Sequence, residues 1–98
     1  MGIKIIGTGK YLPEKFITNE DISQHVDTSH EWILDRTGIE QRRIATTESS
    51  LDMAAAAAEQ ALQGIDKDSI GLVVVATITP DNITPSMAAM VKKELGLE

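Results

Sequence analysis

The chain contains no cysteine. Disulfides, thiolate metal sites and thiol nucleophiles are therefore excluded from anything these 98 residues do by themselves. Aromatic residues are scarce: there is one Trp, one Tyr and one Phe, so the core must come from Ile, Leu, Val, Met and Ala. Positive charge is short as well, with nine Lys and Arg against fifteen Asp and Glu and a net charge of -6. A general nucleic-acid binder needs a basic face to displace counterions, so no nucleic-acid partner is expected. No apolar stretch approaches the roughly 18 residues that span a bilayer, and no apolar run follows a basic N-terminal segment. The expectation is a cytoplasmic protein with no membrane partner. Asn82-Ile83-Thr84 matches the glycosylation triplet, which has no consequence without a secretory route. The two histidines, His25 and His30, have no second ligand set at metal spacing. Both are read as surface residues, and no metal is expected.

What is present is an ordinary globular composition, 42% hydrophobic and 24% charged. The length fits one small domain or part of a larger one. No repeat or linker divides it, so residues 1–98 are read as one portion with no internal boundary. Residues 3–8 are short, apolar and β-branched, which predicts a strand. Thr18 and Asp21 stand at capping-box spacing before a helix over about 19–25. Thr28 and Glu31 repeat that signature and predict a second helix, stopped by Gly38. Residues 39–45 read as a strand carrying Arg42 and Arg43.

Ser49, Ser50 and Asp52 open the clearest helix, about 50–63, closed by Gly64. Its alanine run, 54–58, has high helix propensity and little bulk, so neighbours can approach closely. Asp66-Lys67-Asp68 reads as a solvated turn. Residues 70–79 form a strand whose segment 72–76 has no polar residue, a pattern normally covered on both faces. Pro85 is placed at the first position of a last helix, with Met87, Met90, Val91 and Leu95 as its apolar stripe and Gly96 as its end. Strand, helix, strand, helix points to an α/β fold. The strand at 70–79 has too few candidate neighbours, so the chain reads as cut from a longer one.

Gly7-Thr8-Gly9 invites a dinucleotide loop, but the fingerprint's third glycine is absent: position 12 is Leu and Pro13 follows. Tyr11 after Lys10 excludes a phosphate loop, so a tight turn is expected. The carboxylates of Glu20 with Asp21 and of Glu48 with Asp52 lie in polar surroundings that would not raise a pKa for acid catalysis. Met87 and Met90 fit core filling. Arg36, Arg42 and Arg43 lie within eight positions and keep a local anion site open.

The sharpest constellation is Trp32 with Arg36. Four residues apart on a helix, they share a face. A flat indole beside a flat guanidinium suits an aromatic base and nearby phosphates, and Thr28 adds a hydroxyl one turn earlier. The same pair also suits packing, and spacing alone leaves both readings open.

The order of blocks is more specific. Residues 5–13, then Thr18-Asn19, then Asp27-Thr28-Ser29 with Glu31-Trp32-Ile33 and Arg36-Thr37-Gly38-Ile39, resemble the N-terminus of β-ketoacyl-acyl-carrier-protein synthase III. Arg42-Arg43-Ile44-Ala45, Ile70-Gly71-Leu72, Val74-Val75-Ala76-Thr77 and Pro85-Ser86 continue the resemblance across essentially the whole chain. It implies the N-terminal part of a thiolase-like fold, layered α-β-α-β-α when complete, in a homodimeric enzyme about three times this length. Such enzymes condense an acyl-CoA primer with malonyl-acyl carrier protein to start type II fatty-acid synthesis, and they need no cofactor beyond the coenzyme A thioester substrate. By the same resemblance Thr28, Trp32 and Arg36 match coenzyme A-binding positions. The loop over 79–84 matches a segment near the acyl pocket.

The family's cysteine, histidine and asparagine have no counterpart in this chain, so no catalytic residue is assigned and the 98 residues are expected to be inactive alone. Two other readings stand beside this one. One is a standalone coenzyme A- or partner-binding module. The other is a related acyl-CoA-using synthase of secondary metabolism.

Overall fold

Short polar side chains start every helix. In the computed structural model, which describes residues 2–97, the backbone falls into two compact units, Leu12–Thr47 and residues 2–11 with 48–97.

In the first unit, β1 (Phe16–Thr18) pairs antiparallel with β2 (Gln41–Arg43), in the register Phe16 with Arg43, Ile17 with Arg42 and Thr18 with Gln41. Backbone bonds from Ile44 to Lys15 (2.9 Å) and from Asn19 to Glu40 (3.2 Å) flank this ladder. Helix α1 (Asn19–Ser23) begins with the expected capping box. The Asp21 N–H donates to the Thr18 hydroxyl, and the Thr18 N–H donates to the Asp21 carboxylate, satisfying two otherwise orphaned donors.

Helix α2 (His30–Thr37) follows, and its N-cap corrects the sequence reading. Ser29, not Thr28, caps it, accepting from the Trp32 N–H at 3.1 Å. The exit is as expected: Gly38 takes φ 73°, a left-handed conformation natural to glycine, and its N–H bonds Leu34 O at 2.8 Å. Ile33 is the buried residue of this helix.

In the second unit, α3 (Ser50–Ala61) is capped by Ser49 and Asp52 in a second capping box. A 3₁₀ turn at Lys67–Ser69 follows, with Lys67 Nζ bonded to Leu95 O at 3.1 Å and to Glu59 at 3.4 Å. Helix α4 (Met87–Glu94) starts two residues later than the position of Pro85 suggested, because the Ser86 hydroxyl caps it by accepting from the Ala89 N–H. Met87, Val91 and Leu95 are buried at i, i+4, i+8 and pack on Leu51, Ala54, Ala58 and Leu62, with Val73, Val75 and Leu97 joining them. Burial of such side chains is worth about 1.5–3 kcal/mol each and holds α4 on α3.

The expected strands over 3–8 and 70–79 are not formed: among the described residues, the only ladder joins β1 and β2. Both segments have strand-like sequences, but a strand is defined by a paired neighbour. The cover of 70–76 also differs from the expectation. Val73 and Val75 face the helices, whereas Leu72 and Val74 are 80% and 79% exposed. One face is packed and the other is open.

Gly7 and Gly9 form no turn, another correction. A Cβ on Gly9 would overlap the Ala57 carbonyl oxygen and come within 2.8 Å of Ala61 N, and one on Gly7 would overlap the Ala61 carbonyl oxygen. Two residues of extended chain rise about 6.6 Å and four helical residues about 6 Å, so the two glycines match successive turns of α3. The Lys10 N–H then bonds Gln60 Oε1 at 2.8 Å. The small alanines of α3 and the glycines together permit this backbone-to-helix approach.

Candidate functional site

Helix α2 carries the two flat side chains because Ser29 fixes its start: with the helix beginning at His30, Trp32 falls in the first turn and Arg36 in the last. One turn separates them, and the Arg36 guanidinium carbon lies 5.3 Å from the centre of the Trp32 ring. Trp32 is 55% exposed. Ile33, next to Trp32, is the residue turned inward, so the indole does not serve as the core anchor of α2. A cation near the C-terminal end of a helix also agrees with the helix dipole.

Beside the ring is an open depression of about 450 Å³, lined by Asp27, Thr28, Ser29 and Trp32. Thr28 therefore joins Trp32 at the same surface, but its hydroxyl oxygen is buried and has no hydrogen-bond partner among the described residues. Asp27 and Ser29 were part of the Asp27-Thr28-Ser29 block of the resemblance, but neither was assigned a role at the site.

The three arginines are used separately. Arg42 Nη2 bonds Asn19 Oδ1 at 3.1 Å, while Arg43 Nη1 bonds Pro13 O at 2.7 Å. Neighbours on a strand point to opposite faces, and that alternation separates Arg42 from Arg43. No shared anion site of Arg36, Arg42 and Arg43 is assembled by these contacts.

Asn19 is wholly buried; in the sequence it stands out only by its place after a cap, in the Thr18-Asn19 block of the resemblance. Arg42 can only donate, so it fixes the amide with Oδ1 toward the guanidinium. Nδ2 then faces Ile39 O at 2.7 Å and His30 Nδ1 at 3.0 Å. Nδ1 of His30 is the acceptor of that contact, and the Glu20 carboxylate stands 3.7 Å from the same nitrogen. His30 is thus half-buried and engaged, unlike the surface residue expected. His25 is exposed as read.

Among the described residues, no group of three His, Cys, Asp or Glu side chains could hold a metal ion, and no helix is long and apolar enough to cross a membrane. The displaced titration in this unit is that of Asp21, whose carboxyl is lowered from 3.8, first by the Thr18 backbone N–H and then by the Thr18 hydroxyl. It belongs to the cap of α1, not to the Trp32 surface.

No family profile matches the chain. Individual proteins do. A β-ketoacyl-[acyl-carrier-protein] synthase III of Clostridium acetobutylicum is 50% identical over 96 residues, which is 96% of this chain and 30% of that protein. The crystal structure of 3-oxoacyl-[acyl-carrier-protein] synthase III from Aquifex aeolicus superposes with a TM-score of 0.88 at 45% identity, over 99% of this chain and 32% of that one. The priming β-ketosynthase of the R1128 polyketide biosynthetic pathway superposes at 0.85 with 38% identity, over 97% and 29%. The chain therefore spans about a third of the length of the proteins it matches. In sequence and in fold it is a relative of the β-ketoacyl-[acyl-carrier-protein] synthase III enzymes, carrying part of their thiolase-like α/β architecture.

Proposed function

We propose that this chain supplies part of the coenzyme A site of a β-ketoacyl-acyl-carrier-protein synthase III, an acyltransferase that starts type II fatty-acid synthesis. The intact enzyme would condense an acyl-CoA primer, such as acetyl-CoA, with malonyl-acyl carrier protein, as a cytoplasmic homodimer and without a separate cofactor. Trp32 stacks on the adenine, Arg36 meets the adenine and phosphates, and Thr28 completes the same surface. One observation carries this reading: Trp32 is solvent-exposed with Arg36 stacked 5.3 Å from its centre, beside an open depression. Within α2 it is Ile33, not the indole, that is turned into the core.

The condensation needs a nucleophile to accept the acyl group and donors to stabilise the thioester oxyanion. No cysteine is available here, so the 98 residues alone bind and position rather than catalyse. Joining them to the remaining two-thirds of a synthase III should give condensation activity. In that enzyme, Trp32→Ala or Arg36→Ala should raise the KM for acyl-CoA with little change in kcat, since each removes binding shared by ground and transition states. Unchanged acyl-CoA kinetics in both variants would show that the site is elsewhere.

A second reading has its own support. The likeness to a priming β-ketosynthase of a polyketide pathway is compatible with an acyl-CoA-using synthase of secondary metabolism. Assaying the joined enzyme with short straight, branched and longer acyl-CoA primers separates the two. A standalone binding module is the remaining alternative. It requires that the 98-residue chain bind coenzyme A by itself, read from quenching of its single tryptophan.

A further inference from the structure

Helix α2 is short, and its outward face carries Trp32 and Arg36, so something else must set its position. Ile33 is its buried residue. The polar grip comes from Asn19, which is fully buried. Its Nδ2 reaches His30 Nδ1, on the first residue of α2, at 3.0 Å. The same nitrogen donates at 2.7 Å to the carbonyl of Ile39, just beyond the Gly38 cap. Its Oδ1 is held by Arg42 of β2 at 3.1 Å, and its backbone N–H bonds Glu40 O at 3.2 Å. One amide thus ties both ends of α2 to the β1–β2 ladder.

We infer that Asn19 is a positioning residue for the Trp32–Arg36 pair: it sets where the indole and guanidinium stand without contacting the ligand. Both Nδ2 hydrogens have acceptors, and Oδ1 is oriented by a group that can only donate, so the amide has one orientation. Buried polar networks satisfied in this way specify a single arrangement. Aspartate cannot replace it, because its carboxylate still faces Arg42 but donates nothing to Ile39 O or His30. Small displacements of binding groups weaken binding strongly, so the loss should show at the Trp32 surface rather than only in stability. The inference deepens the coenzyme A reading of α2 and rests on it for the ligand, but not for the position of Trp32.

The test uses the 98-residue chain and its single tryptophan. Acrylamide quenching and near-ultraviolet circular dichroism report the setting of Trp32 without ligand, and emission during titration with coenzyme A reports binding. In Asn19→Asp we expect the far-ultraviolet helix signal to persist, the Trp32 near-ultraviolet band to change and coenzyme A affinity to fall at least tenfold. Asp81→Ala, which loosens the cap of α3, serves as the destabilised control and should leave the Trp32 band alone. If Asn19→Asp leaves both the band and the affinity unchanged, or if Asp81→Ala moves the band equally, the inference is wrong. Should Asn19→Asp unfold, His30→Ala, which cuts one of the three side-chain bonds, decides by the same readouts. If the parent chain shows no coenzyme A affinity, the site reading loses its support in the isolated chain, and the Trp32 band and quenching decide the positioning role alone.

Discussion

The Asp81 carboxylate accepts a 2.8 Å hydrogen bond from the backbone N–H of Leu51, thirty residues earlier in the chain. Its other oxygen takes the Ser50 N–H at 3.0 Å. With Asp52 on the Ser49 N–H and Ser49 on the Asp52 N–H, the first four donors of α3 are all paired. The helix's positive end is filled by the protein's own carboxylates. Asp81 also fastens the segment that joins residues 70–76 to α4. Asp81→Ala should cost about 1 kcal/mol in urea unfolding, as loss of a cap does, and Asp81→Asn less. An Asp81→Ala chain as stable as its parent would show that water replaces the carboxylate without loss.

Gly9 makes a stricter prediction. A methyl group there meets the backbone of Ala57 and Ala61, which cannot rotate away as a side chain can. Gly9→Ala should destabilise by about 1–3 kcal/mol or more, the range of overpacked interiors. Gly71→Ala, where an added Cβ meets nothing within 4 Å, is the control and should be near neutral. Equal midpoints for the two variants in chemical denaturation would contradict the close approach.

The exposed strand-like segment gives a test by alternation. Val75 faces the α3–α4 core and Val74 faces away. Val75→Lys should unfold that core, while Val74→Lys should not. With Leu72 and Val74 open to water, the 98-residue chain should self-associate with rising concentration, and Val74→Lys should reduce this in sedimentation velocity. A parent chain that stays monomeric at high concentration would count against the apolar face as an association surface.

Acid should act on the cap of α1. Folding lowers the Asp21 pKa from 3.8 through the bonds from Thr18, so the unfolded chain takes up this proton first. The sign follows from linkage: the contribution of Asp21 is present above the unfolded value of 3.8 and is lost as pH falls through the lower folded value. The stability gap between the parent and Asp21→Asn should therefore be constant at neutral pH and close only below about pH 4. A gap that already closes between pH 5 and 7 would point to a different group.

Arg36 should matter little for stability and more for its neighbour. An exposed cation–π contact is worth about 0.5–1 kcal/mol, so Arg36→Ala should leave the unfolding midpoint almost unchanged while altering the near-ultraviolet band of Trp32. Arg36→Lys keeps the charge but not the planar fork and should restore the band only in part. Identical bands in all three chains would mean that the 5.3 Å stacking does not persist in solution.

The helices were legible because their signals are local. Thr18 with Asp21 and Ser49 with Asp52 are three residues apart, and Gly38 ends α2 at the next residue; each motif completes itself within one turn. The face shared by Trp32 and Arg36 came from the same periodicity. The misplaced starts had local causes too. Ser29 stood beside Thr28 with an equally good hydroxyl, and Ser86 after Pro85 supplied the better cap. β1 passed unnoticed because three residues are too short to show alternation.

Local sequence sets where helices form, with their ends placed to within a residue or two, which of their faces are apolar, and that an indole and a guanidinium stand one turn apart. What the extended segments meet is settled only when distant parts of the chain come together. Residues 3–8 and 70–79 have the side chains of strands but not the paired neighbours, and pairing is a property of two segments rather than one. The glycines at 7 and 9 are required by helix backbone fifty residues away. Asn19 reads in sequence as one more polar residue after a cap, and its importance comes from His30, Ile39 and Arg42 arriving around it. A cap is formed by atoms within a few bonds of one another, whereas a buried amide acquires its partners only when distant parts of the chain close over it.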